Sequence, residues 1–331
     1  MIFRKISGNA EKGTVRIMRV LFMGTPDFAA ECLKAVYSKD GVQVVGAVSQ
    51  PDKPKGRGMK MIPTPVKMYA ESVGIPVYQP VTLKDNAFLT ELKALDPELI
   101  IVAAYGKILP EYVLSYPKYG CVNAHGSLLP KYRGASPIQR AIIDGESVTG
   151  ITAMYMADGI DTGDMILKLE CAITDEDNFG TLHDKLAVLA GEAMYLTIDR
   201  TLDGTITREK QPDEGANYAA KITKEDSVID FTKSPREVFN QIRGLSPMPY
   251  AMTRTPDGKL LKITAADAPS EEISAEPAGT VLSIDGGVIR IACGGGVLTV
   301  TGVVPEGKKP MPAADYIRGR KIAAGDVLKY E

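Results

Sequence analysis

Apolar residues along the 331-residue chain gather in short runs, separated by segments whose hydrophobic spacing is helical. The first run, RVLFMG at 19–24, ends in glycine, and helix-like periodicity follows at 28–36. Runs at 42–48 (VQVVGAV) and 98–104 (ELIIVAA) repeat the pattern, with helix-like stretches at 65–73 and 86–95 between them. Continuous apolar runs of this length read as strands buried on both faces, and their alternation with helices implies right-handed crossovers. Further strands are expected at 121–124, 151–156 and 165–169, and a long helix at 179–202 closes this part. The fold class is therefore α/β, a Rossmann-like, open, mostly parallel sheet whose ligand sits at the carboxyl ends of its strands.

The texture changes after a polar stretch at 204–215 that contains Pro212. One helix-like segment at 235–243 precedes short strands at 259–265, 279–284, 287–293 and 297–303, punctuated by Gly, Pro and Asp. Closely spaced short strands of this kind favour a small OB-like β-barrel. The expected division is a disordered leader at 1–17, a catalytic domain at 18–206, a linker at 207–222 and the barrel domain at 223–331. The leader carries Arg4, Lys5, Lys12 and Arg16 against Glu11 and lacks the apolar core of a signal peptide; an upstream start site before Met18 and a transit peptide are the competing readings.

Charge changes the picture only locally. The net charge is −2, which gives the whole molecule no pull toward nucleic acid. Residues 51–68, however, hold Lys53, Lys55, Arg57, Lys60 and Lys67 against Asp52. Such a run is either a solvated loop or an RNA-facing one, and the glycines beside Arg57 favour a mobile loop that orders on a partner. From residue 208 onward the 17 Lys and Arg balance 17 Asp and Glu, with a late basic cluster at Lys308, Lys309, Arg318, Arg320 and Lys321. The four cysteines (Cys32, Cys121, Cys171, Cys293) form no C-x-x-C pair, against a zinc site or a disulfide framework and in keeping with a reducing compartment. No apolar run approaches the roughly 18 residues of a membrane span, and a cytoplasmic location is expected.

Candidate chemistry centres on one histidine of two. His183 has helical spacing beside Asp184 and Lys185 and reads as a helix-surface residue. His125 lies just past a buried strand, at the edge where ligands bind, in Asn123-Ala124-His125-Gly126-Ser127-Leu128-Leu129-Pro130. It either ties down a loop or takes part in catalysis. Asp158-Gly159-Ile160-Asp161-Thr162-Gly163-Asp164 lies between two strands and is too short for an EF-hand. It is either a plain turn or the source of a carboxylate that orients or charges His125. Gly24-Thr25-Pro26-Asp27-Phe28 lacks the dinucleotide fingerprint and reads as a helix start capped by Thr25, with Pro26 in the first turn.

Taken in order, Met23-Gly24-Thr25-Pro26-Asp27-Phe28, Gln50-Pro51-Asp52-Lys53-Pro54, Ala104-Tyr105-Gly106 with Ile108-Leu109-Pro110, the 123–130 stretch with Arg133-Gly134-Ala135, Pro137-Ile138-Gln139-Arg140 and the 159–164 loop resemble the methionyl-tRNA formyltransferase family. The likeness runs from about Met18 through the last residues. It implies the formyltransferase fold and transfer of a formyl group from 10-formyltetrahydrofolate to the methionine α-amino group of initiator Met-tRNA, for translation initiation. The resemblance makes Asn123, His125 and Asp161 the catalytic trio. It makes Ser127, Leu128, Leu129 and Pro130 folate-binding, with Tyr105 and Gly106 as a wall for the pterin. It makes Gly56, Arg57, Gly58 and Lys60 the tRNA contacts, with the barrel as a second tRNA-binding part. No metal is implied, and the family expectation is a monomer. An amine attacking a formyl carbon builds charge on oxygen, and protonated His125 and the Asn123 amide are suited to receive it. A formyltransferase acting on a sugar nucleotide or glycinamide ribonucleotide is the runner-up, since the trio alone does not name the acceptor. A nucleic-acid-binding module with a dead catalytic domain and a nicotinamide-dependent oxidoreductase are the readings from other classes.

Overall fold

The computed structural model describes residues 16–55, 59–319 and 321–330. The chain forms two compact units: one holds 1–122 and 194–205, the other 123–193 and 206–331. In the first unit, β1 (Met18–Gly24), α1 (Asp27–Tyr37) and β2 (Val42–Val48) build a parallel pair with its crossover helix. An antiparallel ribbon of β3 (Lys53–Lys55) and β4 (Lys60–Ile62) follows, then α2 (Pro65–Ser72) and β5 (Val77–Tyr78). α3 (Leu89–Leu95), β6 (Leu99–Ala103) and the short α4 (Glu111–Leu114) complete the alternation. Strand order there is β6-β1-β2-β5, all parallel. Every residue of β6 is buried, as the unbroken apolar run predicts. Phe28, Ala29, Cys32, Leu33 and Val36 line the buried face of α1 at helical spacing.

β7 (Cys121–His125) carries the chain into the second unit, where the order is β10-β9-β7. Before β9 (Val148–Tyr155) come the two-residue β8 (Arg133–Gly134) and α5 (Pro137–Ile143). β10 (Met165–Ala172) runs antiparallel to β9, and most of its length alternates between covered and exposed positions, as an edge strand should. α6 (Phe179–Leu202) has the 24 residues expected of it.

The segment expected to be a linker is structured. Glu209 pairs with Met165, and β11 (Tyr218–Ala219) pairs in parallel with β8. α7 (Pro235–Gly244) starts with a capping box, Ser234 with Glu237, and Pro235 in its first turn. It covers an antiparallel sheet of β12 (Ala251–Arg254), β13 (Leu260–Ala266), β14 (Val281–Ser283), β15 (Ile289–Cys293), β16 (Gly296–Pro305) and β17 (Met311–Pro312). The order is β12-β13-β16-β15-β14, with β17 on β16, and α8 (Ala313–Arg318) follows. Val238, Phe239, Ile242, Ile263, Leu298 and Val300 anchor its core. The carboxyl-terminal part is thus the antiparallel sheet domain that its short strands suggest. α7 also crosses α5 closely enough that a Cβ on Gly244 would stand 2.7 Å from Ile143 Cγ1.

Three expectations need correction. Thr25 is not the cap of α1: Pro26 holds that position without a side-chain cap. The Thr25 hydroxyl instead donates to the Tyr105 carbonyl at 3.2 Å and lies 3.4 Å from the Gln50 N–H. Arg16, expected in the leader, donates to Glu98 Oε1 and the Tyr119 hydroxyl, both at 2.7 Å. The expected disorder of 1–15 lies outside the described residues. The basic segment, expected as a mobile loop, has flanks paired Lys53 to Ile62 and Lys55 to Lys60.

Candidate active site

Asn123 and His125 are two apart on β7, so both side chains leave the same face of the strand near its carboxyl end. His125 is buried, 5% exposed. Its Nε2 lies 2.8 Å from the Tyr132 carbonyl oxygen, which can only accept, so Nε2 carries a proton. Nδ1 faces Asp161 Oδ2 at 3.5 Å, an ion-pair distance rather than a tight hydrogen bond. The same Oδ2 accepts from the Gly134 N–H at 2.9 Å. Both ring nitrogens are therefore turned toward protein groups. The expected oxyanion donor sharpens accordingly: the Nε2 hydrogen is occupied by Tyr132, and Nδ1 is the nitrogen beside the carboxylate. Asn123 is half-buried, and among the described residues its amide has no hydrogen-bond partner.

The turn carrying Asp161 is tightly determined. Asp161 sits at φ 53°, a left-handed conformation that Asp tolerates better than most residues. Two residues on, a Cβ at Gly163 would stand 1.8 Å from the Tyr155 carbonyl oxygen, so only glycine fits. Among the described residues no group of three His, Cys, Asp or Glu side chains is placed to hold a metal ion.

After His125 the chain is knit to β9. The Thr152 hydroxyl donates to the Ser127 carbonyl at 2.7 Å and accepts from the Leu129 N–H at 3.0 Å. The Ser127 hydroxyl donates to the Lys131 carbonyl at 2.6 Å. Leu129 is fully buried against Met154 and Met165. Its neighbours Gly126, Leu128 and Pro130 are only partly covered, so they and the backbone are what the segment presents. Nearby, Tyr132 donates its hydroxyl to Glu146 Oε1, and Lys131 pairs with the same oxygen. The Lys131 bond and the Tyr132 hydroxyl hold the Glu146 carboxyl below its ordinary range against the opposing effect of burial.

In the first unit, Tyr105 is only 2% exposed and its hydroxyl is buried without a partner among the described residues. Burial pushes that hydroxyl up to about 12. The Tyr105 carbonyl accepts from Gln50 Nε2 at 2.9 Å. Gly106 and, above all, Ile108 at 91% are what this loop exposes. On the basic ribbon, Lys53, Lys60, Met59, Met61 and Ile62 are all exposed. Gly56, Arg57 and Gly58 lie outside the described residues. Lys67 belongs to a different network: its Nζ donates to Asp52 Oδ2 at 2.7 Å and Gln79 Oε1 at 3.0 Å. In the carboxyl-terminal part Lys308, Lys309, Arg318 and Lys321 are exposed, and Arg320 lies outside the described residues.

Sequence reasoning missed Tyr132 and Gly134, which act on His125 and Asp161 through backbone atoms that no side-chain pattern advertises. It also missed Gln211, whose polar surroundings mark a linker.

Comparison with known proteins shows the family. Residues 18–198 match the formyl transferase family and 221–321 its C-terminal domain. The chain is 48% identical over 313 residues to the methionyl-tRNA formyltransferase of Caldanaerobacter subterraneus subsp. tengcongensis, covering 94% of this chain and all of that one. The chain belongs to the methionyl-tRNA formyltransferase family. The Bacillus subtilis member of that family is 45% identical, over 94% of this chain and 97% of its own. Its fold is shared by more distant proteins. An N-formyltransferase from Helicobacter canadensis, solved with folinic acid and dTDP-3-aminofucose, superposes with a TM-score of 0.64 at 19% identity, over 86% of this chain and 98% of its own. HypX from Aquifex aeolicus, solved with tetrahydrofolic acid, gives 0.61 at 16% identity, over 91% of this chain and 47% of its own. No helix among the described residues is long and apolar enough to cross a membrane.

Proposed function

We propose that this chain transfers the formyl group of 10-formyltetrahydrofolate to the α-amino group of methionine on initiator Met-tRNA, giving N-formylmethionyl-tRNA. The observation that carries the proposal is His125, held at a strand's carboxyl end between a carbonyl and the Asp161 carboxylate, with the unengaged Asn123 amide on the same face. The bound folate supplies the activated formyl group. The Asn123 amide offers an N–H to the oxygen that gains charge as the amine attacks, a contact worth most where water is excluded. The amine must shed a proton as its new C–N bond forms. Nδ1 of His125, steadied by Asp161, is the nitrogen placed to relay that proton to N10 of the folate as the bond between N10 and the formyl carbon breaks and tetrahydrofolate leaves.

In this reading the partly covered Gly126, Leu128 and Pro130, with the backbone at Ser127 and Leu129, cradle the folate. Leu129 anchors that cradle from the core rather than touching ligand. The partnerless Tyr105 hydroxyl and the exposed Gly106 suit a polar heterocycle. Residues 18–206 act as the catalytic part and 223–331 as a tRNA-binding part. The ribbon with Lys53 and Lys60, together with Gly56, Arg57 and Gly58, meets the acceptor end of the RNA, where exposed cations and apolar Met59 and Met61 suit phosphates and bases. Full-length identity of 45% and above to methionyl-tRNA formyltransferases supports this acceptor over a sugar nucleotide.

The test is formylation by the purified chain of charged initiator tRNA, uncharged tRNA, free methionine and an amino-sugar nucleotide, each with 10-formyltetrahydrofolate. Turnover on the charged tRNA alone is expected. Turnover on the amino sugar, with none on the tRNA, would overturn the proposal.

A further inference from the structure

The two groups that flank His125 belong to separate segments, residues 132–134 with β8 and the Asp161 turn. One stretch of chain, 209–219, binds both. On the strand side, the Tyr132 N–H donates to Asn217 Oδ1, and the Arg133 N–H donates to the Asn217 carbonyl at 3.0 Å. The Ala219 carbonyl accepts from Ala135 at 3.0 Å and Ser136 at 3.2 Å. On the turn side, Gln211 is 5% exposed and uses its whole amide. Its Nε2 donates to the Asp161 carbonyl at 2.9 Å and the Gly163 carbonyl at 2.7 Å. Its Oε1 accepts from Arg133 Nε at 3.0 Å.

We infer that Gln211 is a positioning residue for the reaction: through the Asp161 and Gly163 carbonyls it sets the Asp161 carboxylate against His125 and ties that turn to the strand holding the other side of the imidazole. Asp161 is left-handed, and Gln211 holds that turn through its main-chain carbonyls while Gly134 holds the carboxylate. Any residue can join two domains at a linker. A buried glutamine with three satisfied hydrogen bonds, spanning both flanks of the reactive side chain, does more than join. The inference rests on the reading of Asp161 as part of the catalytic trio.

The experiment is a double-mutant cycle with Gln211→Met, which keeps volume and removes every hydrogen bond, and Asp161→Asn, read in kcat and KM for Met-tRNA and 10-formyltetrahydrofolate. Loosening a reactive group by about an ångström costs on the order of 10²-fold, so Gln211→Met should lower kcat by about that factor and leave both KM values within about twofold. In the Asp161→Asn background the same change should cost less than about threefold, because residues that act through one another are not additive. The kcat–pH profile of Gln211→Met should also be displaced from that of the parent. Equal losses in both backgrounds with an unmoved profile would overturn the inference and leave Gln211 a structural tie. If Asp161→Asn alone leaves kcat unchanged, the reading of Asp161 fails instead, and this inference with it. Should Gln211→Met not fold, as judged by its melting curve, Gln211→Glu serves in the same cycle. Its carboxylate keeps the Arg133 contact and loses both donors, so the same non-additive loss is expected and an additive one overturns the inference.

Discussion

Two segments that each follow a strand in this molecule are built on opposite plans. After β7, residues 126–136 are pinned by Thr152, Asn217 and Ala219, and the His125 imidazole has a protein partner on each nitrogen. After β2, the ribbon exposes Lys53 and Lys60 together with its large apolar side chains Met59, Met61 and Ile62. What fixes the ribbon lies at its root, where Gln79 Nε2 donates to Asp52 Oδ1 and the Gln50 carbonyl, and Lys67 pairs with Asp52. The contrast teaches where order is needed. A group that handles a proton gains from being held before substrate arrives. A surface that meets a large partner needs a fixed base and a free rim.

The sharpest way to break this comparison is at the pinned segment. His125→Ala should lower kcat by about 10²–10³-fold while the melting temperature stays near that of the parent; single-turnover kinetics would measure it. An intact rate would reduce the surrounding order to packing. Next in size is Gly163→Ala. Its methyl meets the Tyr155 carbonyl, and relieving that clash should cost about 2–4 kcal/mol, read by denaturant unfolding, along with most of the activity. The exposed rim predicts gentler effects. Lys53→Ala and Lys60→Ala should each raise KM for tRNA several-fold with kcat preserved, and each phosphate contact removed should reduce the slope of log affinity against log salt by about 0.7–0.9. A salt slope that does not change would make them plain surface.

The smallest effect sharpens the comparison at the ribbon's root. Hydrogen bonds from Gln79 and then Lys67 hold the Asp52 carboxyl below its ordinary range despite partial burial. A carboxyl lowered by folding contributes stability above its unfolded value, near 3.9, and loses it as pH falls through the lower folded value. Asp52→Asn should therefore melt slightly below the parent at pH 7, and the two curves should converge as pH is brought toward 3. Curves that stay apart at low pH would mean the anchor does not depend on charge.

How much of this was legible in the sequence depends on the range of the interactions involved. The strand at 42–48 and the helix at 179–202 carry their own patterns and appear at those residues. α5 was not expected, because its seven residues from Pro137 are too few to show a period. The cap at Thr25 failed because a hydroxyl next to a helix start found distant partners in Tyr105 and Gln50. At the site, His125 and Asp161 stand out by residue type and position. Tyr132 and Gly134 contribute through main-chain atoms, and Gln211 comes from a stretch whose polarity reads as solvent. Proline and glycine in 51–68 signalled a loop, yet the segment's ends pair as a ribbon with Pro54 opposite Met61.

The parallel pairing of β11 with β8 carries a further consequence, one of timing. Residues 133–134 leave the ribosome 85 positions before their partners at 218–219. From residue 164 onward in that interval β7 and the Asp161 turn are already made, but the chain that binds both flanks of the imidazole is not. A nascent chain stalled at residue 206 would have every residue of the trio and neither Gln211 nor Asn217. The two flanks of the imidazole are thus joined only late in synthesis, as the chain passes residue 219.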